Sequence, residues 1–149
     1  MSGPKNNIQE RQEALIQEFN QLSSWEDRYK RIIEYGKNLS DMSDQFKTED
    51  SKVKGCQSQV WMHASLNEKN EMLIVADSDA LLVKGLVALL VKVYSPAPPQ
   101  EVLNTAPVFL KTLDFEENLS PNRTNGLHSM LKQIKMFATA FSFLIHNKK

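Results

Sequence analysis

Val60-Trp61-Met62-His63-Ala64-Ser65-Leu66-Asn67-Glu68-Lys69-Asn70-Glu71-Met72-Leu73-Ile74-Val75-Ala76 carries two apolar runs with turn chemistry between them. In the first run Val60, Met62, Ala64 and Leu66 alternate with Trp61, His63 and Ser65, the two-residue period of a strand with two different faces. Asn67-Glu68-Lys69-Asn70 supplies the turn, and Met72 to Ala76 is the returning strand of an antiparallel hairpin. The segment that follows, from Ala80 to Tyr94, is apolar except for Lys84 and Lys92. It falls short of the roughly 20 residues that cross a bilayer, so it is expected as a buried helix and not a membrane span. Asp77-Ser78-Asp79 stands where side chains cap the amino end of a helix. Gly85 costs a helix about 1 kcal/mol relative to alanine, so its place here predicts the close approach of another backbone, the cysteine turn described below being one candidate.

Before the hairpin, Ile8, Leu15, Ile16, Phe19 and Leu22 recur at helical spacing. Ser24 with Asp27 reads as a capping box opening a second helix, which Gly36 is expected to end in the left-handed conformation. Residues 39–53 are polar and read as a loop delivering the segment Lys54-Gly55-Cys56-Gln57-Ser58-Gln59. After the buried helix, Ser95-Pro96-Ala97-Pro98-Pro99 forbids its continuation, and Pro99 can start a short helix through Leu103. A further turn spans Val108 to Leu113, and residues 119–126 read as a loop feeding a last helix striped with Leu127, Met130, Leu131, Ile134, Phe137, Ala138, Phe141 and Leu144. This order predicts one α+β domain over residues 1–149, with helices packed on one face of a small antiparallel sheet.

Eighteen basic and eighteen acidic residues cancel, so the chain lacks the electrostatic footprint of nucleic-acid binding. The stretch from Met1 to Gln21 contains Glu10, Glu13 and Glu18 and no continuous apolar core, which fits neither a secretory nor an organellar leader. The expected setting is a reducing cytoplasm. His63, His128 and His146 form no metal-ligand spacing, and no GxGxxG, P-loop or GxSxG motif is present.

Cys56 is the only cysteine, so it can neither close an internal disulfide nor supply a thiolate ligand set. It can act as a nucleophile or carry a group, or it can be a packing residue. Gly55 before it and Gln57 and Ser58 after it suit presentation of the sulfur on a tight turn. An ordinary thiol is only about 3% ionised at neutral pH, so a reactive one needs help. Lys54, two residues away, and turn amides are candidates. His63 lies seven residues on, about 23 Å along an extended strand, too far for a base unless the chain folds back.

The octet from Lys54 to Trp61 resembles the signature of the SufE/CsdE family of sulfur-acceptor proteins. The resemblance continues through Trp25-Glu26, Tyr29 and Ile32 to Gly36, through Asp77 to Ala80 and Val83 to Leu86, and through Leu119-Ser120-Pro121-Asn122-Arg123 with Gly126, Leu127 and Met130. It implies the fold shared by SufE and NifU (IscU-like) scaffolds. It further implies that a pyridoxal-phosphate cysteine desulfurase, SufS- or CsdA-like, hands persulfide sulfur to Cys56 for delivery to a SufBCD-like iron–sulfur assembly complex. The pyridoxal phosphate then belongs to the partner, and this chain acts as an accessory protein without a cofactor of its own. Arg123 matches an arginine that the family places near the acceptor cysteine, and Asp79 is a candidate partner contact. A CsdE-like role in another sulfur route, such as tRNA modification, fits the same motifs. A cluster scaffold is disfavoured by the lone cysteine, and a thiol peroxidase is a weaker alternative.

Overall fold

The hairpin forms where the alternation places it. In the computed structural model, which describes residues 7–147, β1 (Val60–Leu66) pairs antiparallel with β2 (Met72–Ser78), Val60 opposite Ser78 and Leu66 opposite Met72. The turn is held by Asn67, whose Oδ1 accepts from the backbone N–H of Lys69 and of Glu71, both at 2.9 Å, while Asn70 takes a positive φ of 61°. Residues 1–6, including the start of the stretch read as free of a leader, lie outside the described residues.

One face of the hairpin is core. Val60, Met62, Met72, Ile74 and Ala76 are buried, and α3 (Leu81–Tyr94) packs on this layer with Leu86, Val87, Leu89, Leu90 and Val93 buried in turn. The opposite face is covered by the polar segment before the cysteine. A short 3₁₀ turn, Asp44–Phe46, stacks Phe46 on His63 with ring centroids 4.1 Å apart, and Lys47 stands 5.7 Å from the Trp61 ring. Lys52 bridges to Trp61, and the Val53 N–H donates to the Val60 carbonyl at 2.8 Å. Residues 44–53 are therefore a cover for the sheet as well as a lead-in to Cys56.

The second helix departs from expectation at its end. α1 (Ile8–Asn20) is capped by Asn7 and Glu10, and α2 (Trp25–Lys37) begins with Ser24 Oγ accepting from the Asp27 N–H at 3.1 Å. Gly36 does not terminate α2, which runs on to Asn38 as its cap, and among the described glycines only Gly55 has a positive φ. Gly36 instead faces Gly85 of α3. A side-chain carbon on Gly36 would lie 2.8 Å from the Gly85 nitrogen, and one on Gly85 would run into the Ile32 carbonyl. The approach inferred at Gly85 is real, but the neighbour is α2 and not the cysteine turn.

The acidic triplet before α3 does not cap it. The cap position is Ala80, with no side-chain hydrogen bond. β2 extends to Ser78, which turns Asp77 sideways into ion pairs with Lys47 at 2.7 Å and Lys84 at 3.3 Å, and Asp79 is engaged elsewhere. Beyond Ser95, α4 (Pro99–Asn104), α5 (Val108–Thr112) and α6 (Phe115–Asn118) are short, and α7 (Pro121–Asn147) is the last helix. Phe19, Phe109 and Phe115 are fully buried among these elements, and Gln12 ties them by donating to the Ala106 carbonyl at 2.9 Å and accepting from the Phe109 N–H at 3.0 Å. The expected loop over residues 119–126 is largely helix. Pro121 occupies the first helical position, where its missing N–H costs nothing, and Ser120 Oγ accepts from the Arg123 N–H at 3.3 Å. No helix among the described residues is long and apolar enough to cross a membrane.

Candidate functional site

Gly55 has φ of 91°, a backbone conformation that glycine adopts without strain, and this turns the chain so that Cys56 points inward. A side-chain carbon there would lie 2.5 Å from Ser129 Oγ, so the turn also lies flat against α7. Cys56 is half-buried, and its thiol donates to the Gly126 carbonyl of α7 at 3.7 Å. Burial pushes the thiol pKa up from its ordinary value. Sequence reasoning asked for a group that eases ionisation; the geometry instead favours a neutral thiol at rest, both by burial and by a bond that only S–H can donate.

The sulfur opens into a cavity of about 670 Å³. Its walls come from four parts of the chain: Tyr29 and Ile33 of α2, the loop residues Gln57 and Ser58, the start of α3 from Leu81 to Val83 with Ala80, and Ser120, Asn122, Arg123, Gly126 and Met130 at the start of α7. The Tyr29 hydroxyl donates to the Asn118 carbonyl, which fixes α2 against the approach to α7. Thus Cys56, Gln57, Ser58 and Arg123 meet in one place although 65 positions and more separate the loop from the arginine in sequence. Arg123 is exposed and pairs with no carboxylate among the described residues. Lys54 is exposed and does not line the cavity, and His63 is held in its stack on Phe46.

Asp79 stands at the loop exit. Its two carboxylate oxygens accept from the Gln59 backbone N–H at 3.0 Å and from Gln59 Nε2 at 3.2 Å. Ser78 Oγ donates to the Gln59 carbonyl at 2.8 Å, and the Asp79 N–H reaches the same oxygen at 3.2 Å. With the bond from Val53 to Val60, the loop is clamped on both sides of Cys56. Sequence reasoning missed this clamp and the roles of Tyr29, Ile33, Leu82 and Ser129 around the loop. Tyr29 and Ile33 stood in the sequence within the early-helix block of the family resemblance, with no place at the loop assigned to them, and Leu82 and Ser129 only as ordinary helix-face residues. Among the described residues no group of three or more His, Cys, Asp or Glu side chains is arranged to hold a metal ion.

Three comparisons bear on this site. Residues 13–138 match the family described as SufE: Fe-S metabolism associated domain. The chain is 42% identical over 120 residues to the SufE-like protein 1, chloroplastic/mitochondrial, of Arabidopsis thaliana, covering 80% of this chain but 32% of that protein. It is 41% identical over 128 residues to an uncharacterized SufE-like protein of Rhizobium etli, covering 83% and 86% of the two chains. The solution structure of a hypothetical protein from Thermus thermophilus superimposes with a TM-score of 0.75 at 21% identity, covering 89% of this chain and 96% of that one, a likeness of fold. The match runs through every element that builds the cavity, from Tyr29 to Met130, and with it the chain belongs to the SufE family.

Proposed function

We propose that Cys56 is a sulfur acceptor: it takes persulfide sulfur from a cysteine desulfurase and passes it on for iron–sulfur cluster assembly. The observation that carries this reading is the placement of the chain's only thiol inside a cavity shared with Arg123, at the tip of a clamped loop. In the transfer, Cys56 Sγ attacks the outer sulfur of the donor's persulfide. A new S–S bond forms at Cys56, the donor's S–S bond breaks, and the donor cysteine leaves as a thiolate that takes up the proton Cys56 has lost. No net oxidation occurs, because the transferred sulfur keeps its oxidation level.

The raised thiol pKa gives the resting protein low reactivity toward adventitious electrophiles. Reaction then requires the loop to leave the Gly126 carbonyl, and Arg123, with the positive end of α7, stabilises the thiolate that results. Asp79 and Leu81, the latter with 58% of its surface exposed, sit together at the start of α3 and are the proposed contact with the donor. The donor is a SufS- or CsdA-like enzyme holding the pyridoxal phosphate, the recipient a SufBCD-like complex, and the setting the cytoplasm. Residues 1–149 act as one sulfur-acceptor domain without a cofactor of their own.

Intact mass spectrometry tests this directly. Incubation with a cysteine desulfurase and L-cysteine should add one sulfur, about 32 Da, to the chain. The Cys56→Ser variant should fold, gain no mass and fail to stimulate the desulfurase; full stimulation by that variant would refute the carrier role.

A further inference from the structure

Three of the chain's five glycines have an evident structural reason. Gly36 and Gly85 allow two helix backbones to meet, and Gly55 holds a positive φ against Ser129. Gly126 has none of these. It lies buried within α7, where glycine is the least favourable residue after proline, and it lacks a positive φ. Apart from its own helix and chain neighbours, a side-chain carbon at this position would have one neighbour within 4 Å, Cys56 Sγ at 3.6 Å. That is ordinary van der Waals contact, so an alanine would be compatible with the bare thiol. What it would fill is the space beside the sulfur, on the wall of the cavity that both residues line.

We propose that Gly126 is a positioning residue whose missing side chain makes room for the second sulfur atom of a Cys56 persulfide. The inference rests on the sulfur-acceptor reading above and assigns a residue to the storage of the cargo. An S–S bond places the outer sulfur about 2 Å beyond Sγ. With Sγ already in contact distance of a carbon on residue 126, an outer sulfur on that side would overlap it. With glycine there, the loaded side chain can stay tucked under the loop, away from solvent thiols and nucleophiles. Leu127 and Met130, the buried residues beside it, contribute to the core, and Gly126 shapes the space next to the sulfur.

The test compares the full chain and its Gly126→Ala variant, each with a free thiol and after loading with inorganic polysulfide. Intact mass verifies loading. Wild-type protein should melt at the same temperature in both forms. The variant thiol should melt as high as wild type or higher, because alanine favours helix. Loading should lower the variant's melting temperature by about 3 °C or more and expose its outer sulfur to cyanide several-fold faster than in wild type. A loaded variant as resistant to heat and cyanide as loaded wild type overturns the proposal. Should the variant not fold, the wild-type pair decides: a melting temperature that falls on loading, or a thiol that polysulfide cannot load, shows that the outer sulfur has no place and overturns it too. Wild type that polysulfide loads but a desulfurase with L-cysteine does not would refute the acceptor reading while leaving the fit of the second sulfur intact.

Discussion

Gly36 of α2 and Gly85 of α3 meet backbone to backbone: a side-chain carbon on the first would come within 2.8 Å of the nitrogen of the second. The contact brings Ile32 and Ile33 up to α3, and Ile33 and Val83 then share the wall of the Cys56 cavity. Helix packing and the site are thus set by one crossing. Gly85→Ala should destabilise the fold by about 2 kcal/mol, since the added carbon meets the fixed Ile32 carbonyl and not a flexible side chain. Urea unfolding measures it, and an unchanged or higher midpoint would show that the crossing is looser than described.

The thiol of Cys56 should respond to pH in two linked ways. Burial raises its pKa in the folded chain, so alkylation by iodoacetamide at pH 7 should be slower than for a cysteine in an unfolded peptide, and should climb at more alkaline pH. The stability contribution has the matching sign. It is complete below the pKa of the unfolded thiol and is lost as pH rises through the higher folded value, because the unfolded chain ionises first. Cys56→Ser should therefore flatten part of the alkaline decline in stability, read by thermal melts across pH 7 to 11. An identical decline in both proteins would contradict the burial of the thiol.

Arg123→Ala should slow sulfur acceptance by about tenfold, the scale of one lost charge-assisted contact, with little change in melting temperature. The side chain is exposed and joins no ion pair among the described residues, so its removal breaks none of theirs. Arg123→Lys should recover part of the rate. Unfolding shifted strongly with transfer unchanged would make the arginine a structural residue.

Asp79→Ala releases both bonds to Gln59 and loosens the loop exit. The expected result is faster alkylation of Cys56 with a stability loss of about 1 kcal/mol or less, since the carboxylate is exposed. Slower alkylation would mean that the clamp holds the sulfur out and not in.

Strand alternation from Val60 and the proline block after Ser95 made the hairpin and the end of α3 legible, because both signals are local. The acidic triplet was misread for the opposite reason. Capping chemistry was present in the letters, but β2 extends through Asp77 and Ser78, and Lys47, Lys84 and Gln59 compete for the two carboxylates from distant positions. Gly36 and Gly85 illustrate the same limit: each looked explicable alone, and only the tertiary crossing shows that they explain each other. The tight turn that carries Cys56 was readable from Gly55 and its polar neighbours. Arg123 was reachable only through the family block, and its helix was obscured because residues 119–126 are polar and contain Pro121, which opens a helix as readily as it marks a loop.

The clamps at Val53 and Gln59 also fix the length of a tether. Cys56 is three residues from each anchor, and an extended chain advances at most about 3.6 Å per residue, so its Cα can stand at most about 11 Å from either one, with the sulfur two bonds beyond it. Any donor serving this chain must bring its own sulfur within that reach of the two anchors. A leash this short limits the depth of the donor's pocket and leaves the remaining distance to be covered by the donor.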